Sequence, residues 1–119
     1  MDPKEIVKTA FKALDEKKAV DIKIIDISNV SVIADYFIIA GANNERQVQA
    51  LAENVEEALG RAGLSPKGVE GFGTANWILM DYTDVIIHIF NQEQRLFYDL
   101  ERIWRDGKAA TIEELESEE

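Results

Sequence analysis

The chain has no cysteine and a single histidine among its 119 residues. Those two shortages remove much of the reactive chemistry a protein of this size could carry. Without cysteine there is no disulfide framework, no thiolate metal site and no cysteine nucleophile, a usage that fits a reducing, intracellular compartment. Four serines are present, none in a nucleophile-elbow context, so a hydrolytic triad has nothing to stand on. The one histidine, His88, sits inside an apolar strand pattern on the side of Ile86 and Phe90, where a structural role is expected before a catalytic one. Apolar runs are broken by charge well before the roughly 18 to 20 residues of a membrane span, and the N-terminus lacks the order of a signal peptide. A soluble, cytoplasmic protein with no membrane partner is expected.

Positive charge is also scarce. Thirteen Lys and Arg stand against 23 Asp and Glu, for a net charge of −10. Affinity for nucleic acid is gained by releasing counterions with Lys and Arg, so direct nucleic-acid contact is not expected. Basic or apolar surfaces are the natural partners; the alternative is that acidity only maintains solubility. Five glutamates against Lys108 give residues 108–119 a net charge of −4, leaving −6 on residues 1–107, so the domain itself is acidic.

The length fits one domain with one core. Asp2 can cap a helix over residues 3–18 that has Pro3 at its first position, Glu5 in its first turn, and Ile6, Val7, Ala10, Phe11 and Leu14 as its buried stripe. Residues 20–27 nearly alternate, as in a strand with one wetter face, whereas Tyr36 to Ala40 is continuously apolar and reads as a central strand. Gly41 ends that strand. Asn43 or Asn44 can cap a second helix with Val48, Leu51, Ala52, Val55, Ala58, Leu59 and Ala62 inward, stopped by Gly63. A short strand over residues 69–72 follows, then a hairpin of residues 77–82 and 85–90 around Tyr82-Thr83-Asp84. Asn91 can cap a last helix with Phe97, Leu100, Ile103 and Trp104 inward. The order α-β-β-α-β-β-β-α implies an α/β (mixed α+β) domain over residues 1–107, a mixed five-stranded sheet with helices packed on it; residues 108–119 read as a frayed acidic tail.

Two places resemble active-site geometry. The strand-loop-helix from Ile38 to Arg46 offers helix N-terminal amides to an anion, but its single glycine and lack of lysine match neither a P-loop nor a dinucleotide fingerprint, and a capped turn is the better reading. Asp81 and Asp84 flank the hairpin turn and could hold a divalent metal, although turn chemistry by itself favours aspartate there. Trp77 opens a strand, where an aromatic either packs in the core or stays open to a partner. Two apolar strands and an aromatic helix leave more apolar surface than three helices cover easily, which points to a binding face or a dimer contact.

Taken together, Ala34-Asp35-Tyr36-Phe37-Ile38-Ile39, Glu45-Arg46-Gln47-Val48, Gly68-Val69-Glu70-Gly71, Ala75-Asn76-Trp77-Ile78-Leu79-Met80-Asp81-Tyr82, Asp84-Val85-Ile86-Ile87-His88-Ile89-Phe90 and the run Arg95 to Trp104 resemble the ribosomal silencing factor family, also called RsfS or Iojap-like. The resemblance covers residues 3–105 and leaves the tail outside. It implies a nucleotidyltransferase-like α/β fold without that fold's catalytic carboxylates, hence no enzymatic activity and no cofactor. It also implies docking on protein fourteen of the large ribosomal subunit, blockage of small-subunit joining, repression of translation under nutrient limitation, and a homodimer when free. Carried over by position, the partner-binding residues are Glu70, Trp77, Ile78, Met80, Asp81 and Tyr82, with Arg95, Tyr98 and Glu101 nearby. Strand alternation puts Trp77, Leu79 and Asp81 on one face and Ile78, Met80 and Tyr82 on the other, so one triplet belongs to the core. The competing readings are a small metal-dependent nucleotidyltransferase-like enzyme using Asp81 and Asp84 with magnesium, and a purely structural dimer module.

Overall fold

The two long helices among the described residues begin where their caps place them. The Asp2 carboxylate accepts the Glu5 amide at 2.9 Å and Pro3 follows it, so helix α1 spans Pro3–Glu16 and buries Ile6, Val7, Ala10, Ala13 and Leu14. Helix α2, Glu45–Arg61, starts at Asn44, whose side chain accepts the Gln47 amide at 2.8 Å. The Gln47 side chain answers by accepting the Asn43 amide at 2.7 Å and donating to the carbonyls of Lys17 and Lys18, which ties the start of α2 to the end of α1. A second tie runs from the Asn54 amide nitrogen to the Ala13 carbonyl at 2.7 Å. After α2 the chain turns through Gly63 at φ +88°, a conformation that costs glycine least. This computed structural model describes residues 1–30, 32–71, 73, 76–92 and 107–117.

The strands are β1 (Val20–Asp26), β2 (Tyr36–Ala42), β3 (Gly68–Glu70), β4 (Trp77–Asp81), β5 (Val85–Asn91) and β6 (Lys108–Ala110). They form one sheet in the order β3-β4-β5-β2-β1-β6. The central β2–β5 pair is parallel and the other pairs are antiparallel, so the sheet is mixed as expected. One register line crosses the whole sheet through Ala110, Ile24, Ile38, Ile87, Met80 and Val69. This line belongs to the larger core cluster, together with the buried stripes of α1 and α2. The opposite face carries a smaller cluster of Ile25, Ile27, Ala34, Ile39, Ile86 and Phe90, with Phe37, Trp77 and Leu79 packed against it.

Three expectations need correction. Among the described residues the sheet has six strands, not five. The segment read as a frayed tail supplies the sixth, because Lys108–Ala110 pairs antiparallel with Asp26, Ile25 and Ile24 of β1. It then forms a short helix, α3 (Ile112–Ser117), that buries Leu115 in the main core, with the Thr111 hydroxyl accepting the Glu114 amide at 3.2 Å. Strand β2 also does not stop at Gly41: it continues to Ala42, with Gly41 opposite Phe90 and Ala42 opposite Asn91. The last helix expected after Asn91 lies outside the described residues; Asn91 itself ends β5.

A frayed tail and a docked one differ in stability. Leu115→Ala should destabilise the protein by roughly 2 kcal/mol or more, the usual cost of truncating a buried leucine. Urea denaturation checks this, and a change within about 0.5 kcal/mol would mean that the segment does not pack.

Candidate docking face

The alternation of β4 separates its side chains between the two faces of the sheet. Ile78 and Met80 are 0% exposed and Tyr82 is 3% exposed, all on the α2 side within the main core. The Tyr82 hydroxyl has no hydrogen-bond partner among the described residues, and burial followed by the charge of Glu56 pushes its pKa up to about 12. A side chain so enclosed cannot meet a partner surface. Of the residues carried over by position, Ile78, Met80 and Tyr82 are therefore core residues, while Arg95, Tyr98 and Glu101 lie outside the described residues. Glu70, Trp77 and Asp81 remain. They share the face opposite α1 and α2, with Glu70 paired to Leu79 and Asp81 paired to Gly68. Glu70 is exposed and Trp77 and Asp81 are partly exposed.

Trp77 is held from two directions. Its backbone carbonyl lies against Gly71, which adopts φ +85°; a Cβ there would overlap the Trp77 oxygen and sit 3.1 Å from its carbonyl carbon. Only glycine satisfies both the dihedral and the close approach. Its side chain is held by His88: the indole Nε1–H donates to His88 Nδ1 at 3.3 Å, with the two rings 6.0 Å apart and inclined by 24°. Trp77 also stacks on Phe90 at 5.4 Å and 22°, and Phe37 lies 4.9 Å from the imidazole. Offset aromatic contacts of this kind add to the area they bury. His88 is 5% exposed, and burial depresses its pKa from 6.5 to about 4, so it is neutral at physiological pH. The structural reading of His88 holds, with a specific partner the sequence reading did not supply. That partner was within reach of the hairpin register, which sets Trp77 opposite Phe90 and hence diagonal to His88.

The two enzyme-like places resolve into local structure. Asp81 Oδ1 accepts the Thr83 amide at 2.8 Å, while Thr83 takes φ +72° and the Tyr82 amide donates to the Val85 carbonyl, which is turn chemistry. Among the described residues no three His, Cys, Asp or Glu side chains converge to hold a metal ion. At the start of α2, the Gln47 and Asn43 amides are already taken by the capping side chains, so two of the donors an anion would need are engaged. The sequence reading also missed an exposed apolar tip between β1 and β2: Val30, Val32 and Ile33 are all exposed. Their signal was the run Val30-Ser31-Val32-Ile33 following a Ser-Asn turn.

Helices on one face of an open, six-stranded mixed sheet, with an acidic and aromatic group on the other, define a small α/β protein of the mixed-sheet class. The profile of the family described as ribosomal silencing factor during starvation, RsfS, matches residues 1–119, and the chain belongs to that family. The match includes the C-terminal segment that the resemblance had left outside. A ribosomal silencing factor RsfS from Bacillus subtilis is 39% identical over 113 residues, covering 95% of this chain and 96% of that one. The chloroplastic protein Iojap of Zea mays is 32% identical over 102 residues, covering 86% of this chain and 43% of that longer one. A crystal structure from Chromobacterium violaceum superposes with a TM-score of 0.85 at 35% identity, covering 92% of each chain. No helix among the described residues is long and apolar enough to cross a membrane.

Two outcomes test the forces at this face. Gly71→Ala should cost at least about 1–3 kcal/mol, since it meets both an unfavourable φ and a backbone overlap; the urea midpoint checks it. His88 binds a proton more readily unfolded, at 6.5, than folded, at about 4, so its titration leaves stability unchanged above pH 6.5 and lowers it as pH falls from there toward 4. Measured against His88→Phe, which lacks the titrating group, the loss over that window should approach about 3 kcal/mol.

Proposed function

We propose that this chain is a non-catalytic silencing factor that docks on protein fourteen of the large ribosomal subunit and blocks joining of the small subunit by occupying its place. The observation that carries this reading is the family match over the whole chain, whose described role is ribosomal silencing during starvation, a regulatory task. Physical features of the chain support the finer mechanism. A net charge of −10 suits the basic surface of a ribosomal protein and raises the rate of encounter with it. Glu70, Trp77 and Asp81 share one face beside the β3 edge of the sheet, with a partly exposed tryptophan on the same face as two carboxylates. That combination supplies both attraction and an aromatic anchor, the residue class that dominates interface energetics. Occlusion asks for no reacting group: a rigid body at the joining face is enough. The factor acts in the cytoplasm, and the free protein pairs as a homodimer whose contact competes with docking.

The test is sedimentation of the purified protein with large subunits, small subunits and both together. The protein should travel with large subunits and reduce the fraction of joined ribosomes. Trp77→Ala and Asp81→Lys should each weaken that association by about 30-fold or more, corresponding to roughly 2 kcal/mol at an interface anchor, while circular dichroism remains native. Unaltered association by both folded variants would rule out this docking face.

A further inference from the structure

The His88 imidazole pays a desolvation cost that a core position does not require. It lies between Ile87 and Ile89 in β5, is 5% exposed, and its Nε2 has no hydrogen-bond partner among the described residues. An apolar side chain would fill such a place without leaving a buried polar atom unsatisfied. What an apolar side chain could not do is accept a hydrogen bond. An indole nitrogen only donates, so the bond from Trp77 Nε1 requires a lone pair on His88 Nδ1 and places the imidazole proton on Nε2. The stacks of Trp77 on His88 and Phe90 fix the plane of the indole but do not distinguish its two edges; the hydrogen bond selects the edge that carries Nε1 as the one facing His88. Phe37 and Phe90 in turn hold the imidazole plane.

We propose that His88 is a positioning residue for docking: by accepting the indole N–H it holds Trp77 in the one orientation in which its exposed edge meets the partner. The inference rests on the docking reading of Trp77. A pre-oriented anchor loses less freedom on binding than a mobile one, so the effect of His88 appears in affinity and not in stability. His88→Phe keeps the ring and its stacking but removes the acceptor. His88→Gln offers a carbonyl oxygen that can take the indole proton.

Because His88 is the chain's only histidine, 15N-histidine labelling reports its tautomer without assignment by mutation. The expected spectrum shows a protonated Nε2 and an unprotonated Nδ1 at neutral pH, with coupling to the Trp77 indole proton. In quantitative sedimentation with large subunits, His88→Phe should bind about tenfold more weakly with an unchanged or raised denaturation midpoint. His88→Gln should stay within about threefold of the parent. An Nδ1-protonated tautomer, or parental binding by folded His88→Phe where Trp77→Ala has lost it, overturns the inference and leaves the docking reading standing. Parental binding by Trp77→Ala overturns both. Should His88→Phe fail to fold, the tautomer and the His88→Gln comparison still decide.

Discussion

The parallel pairing of Tyr36–Ala42 with Val85–Asn91 is the constraint on which the rest of the molecule depends. Each residue of that ladder is committed to one face by its neighbour across the pair. Ile38 with Ile87 and Ala40 with Ile89 turn toward the helices; Phe37 with Ile86 and Ile39 with His88 turn away. A slip of one residue would exchange the two sets and bring His88 beneath the helices. Because both strands are buried on both sides, neither set can be surrendered to solvent, which is why these segments are apolar without alternation.

From this pair the sheet grows outward by antiparallel neighbours whose own alternation is then fixed. The tight turn at Tyr82-Thr83-Asp84 locks β4 against β5, and with it the division of Trp77 and Asp81 from Ile78 and Met80. The two faces serve different ends. One is sealed by α1 and α2, which are capped by Asp2 and Asn44 and cross-tied through Gln47 and Asn54. The other builds an aromatic group around a neutral histidine, with carboxylates at Glu70 and Asp81 on the same face. Rigid support behind a partly exposed tryptophan is what an anchor needs, since the entropy of placing it is spent on folding and not on binding.

Much of this was legible in the residues. Asp2-Pro3, Asn44 and Gly63 mark helix ends through local hydrogen bonding and dihedral freedom, effects that act over a few residues and so can be read from a short stretch of sequence. The hairpin and the central β2 were legible for the same reason. The sixth strand was not: Lys108-Ala109-Ala110 has little apolar content of its own, and its pairing with Ile24 and Ile25 is a contact across more than eighty positions that no local pattern encodes. Its one local sign, Thr111 three residues before Glu114, was masked by the surrounding acidity. At the candidate site the alternation separated two triplets but could not say which lay inward, because both contain apolar residues; the helices decide that, through Val55 and Leu59 packing in the same core as Ile78 and Met80.

The central claim is that the face bearing Glu70, Trp77 and Asp81 is the one that meets the ribosome. Hydroxyl-radical footprinting of the chain bound to isolated large subunits tests it without altering a residue. The account predicts that oxidation of Trp77 falls sharply on binding while Met1, exposed beside the start of α1, stays as reactive as in the free protein. Unchanged oxidation of Trp77 in a chain that has comigrated with large subunits would contradict it.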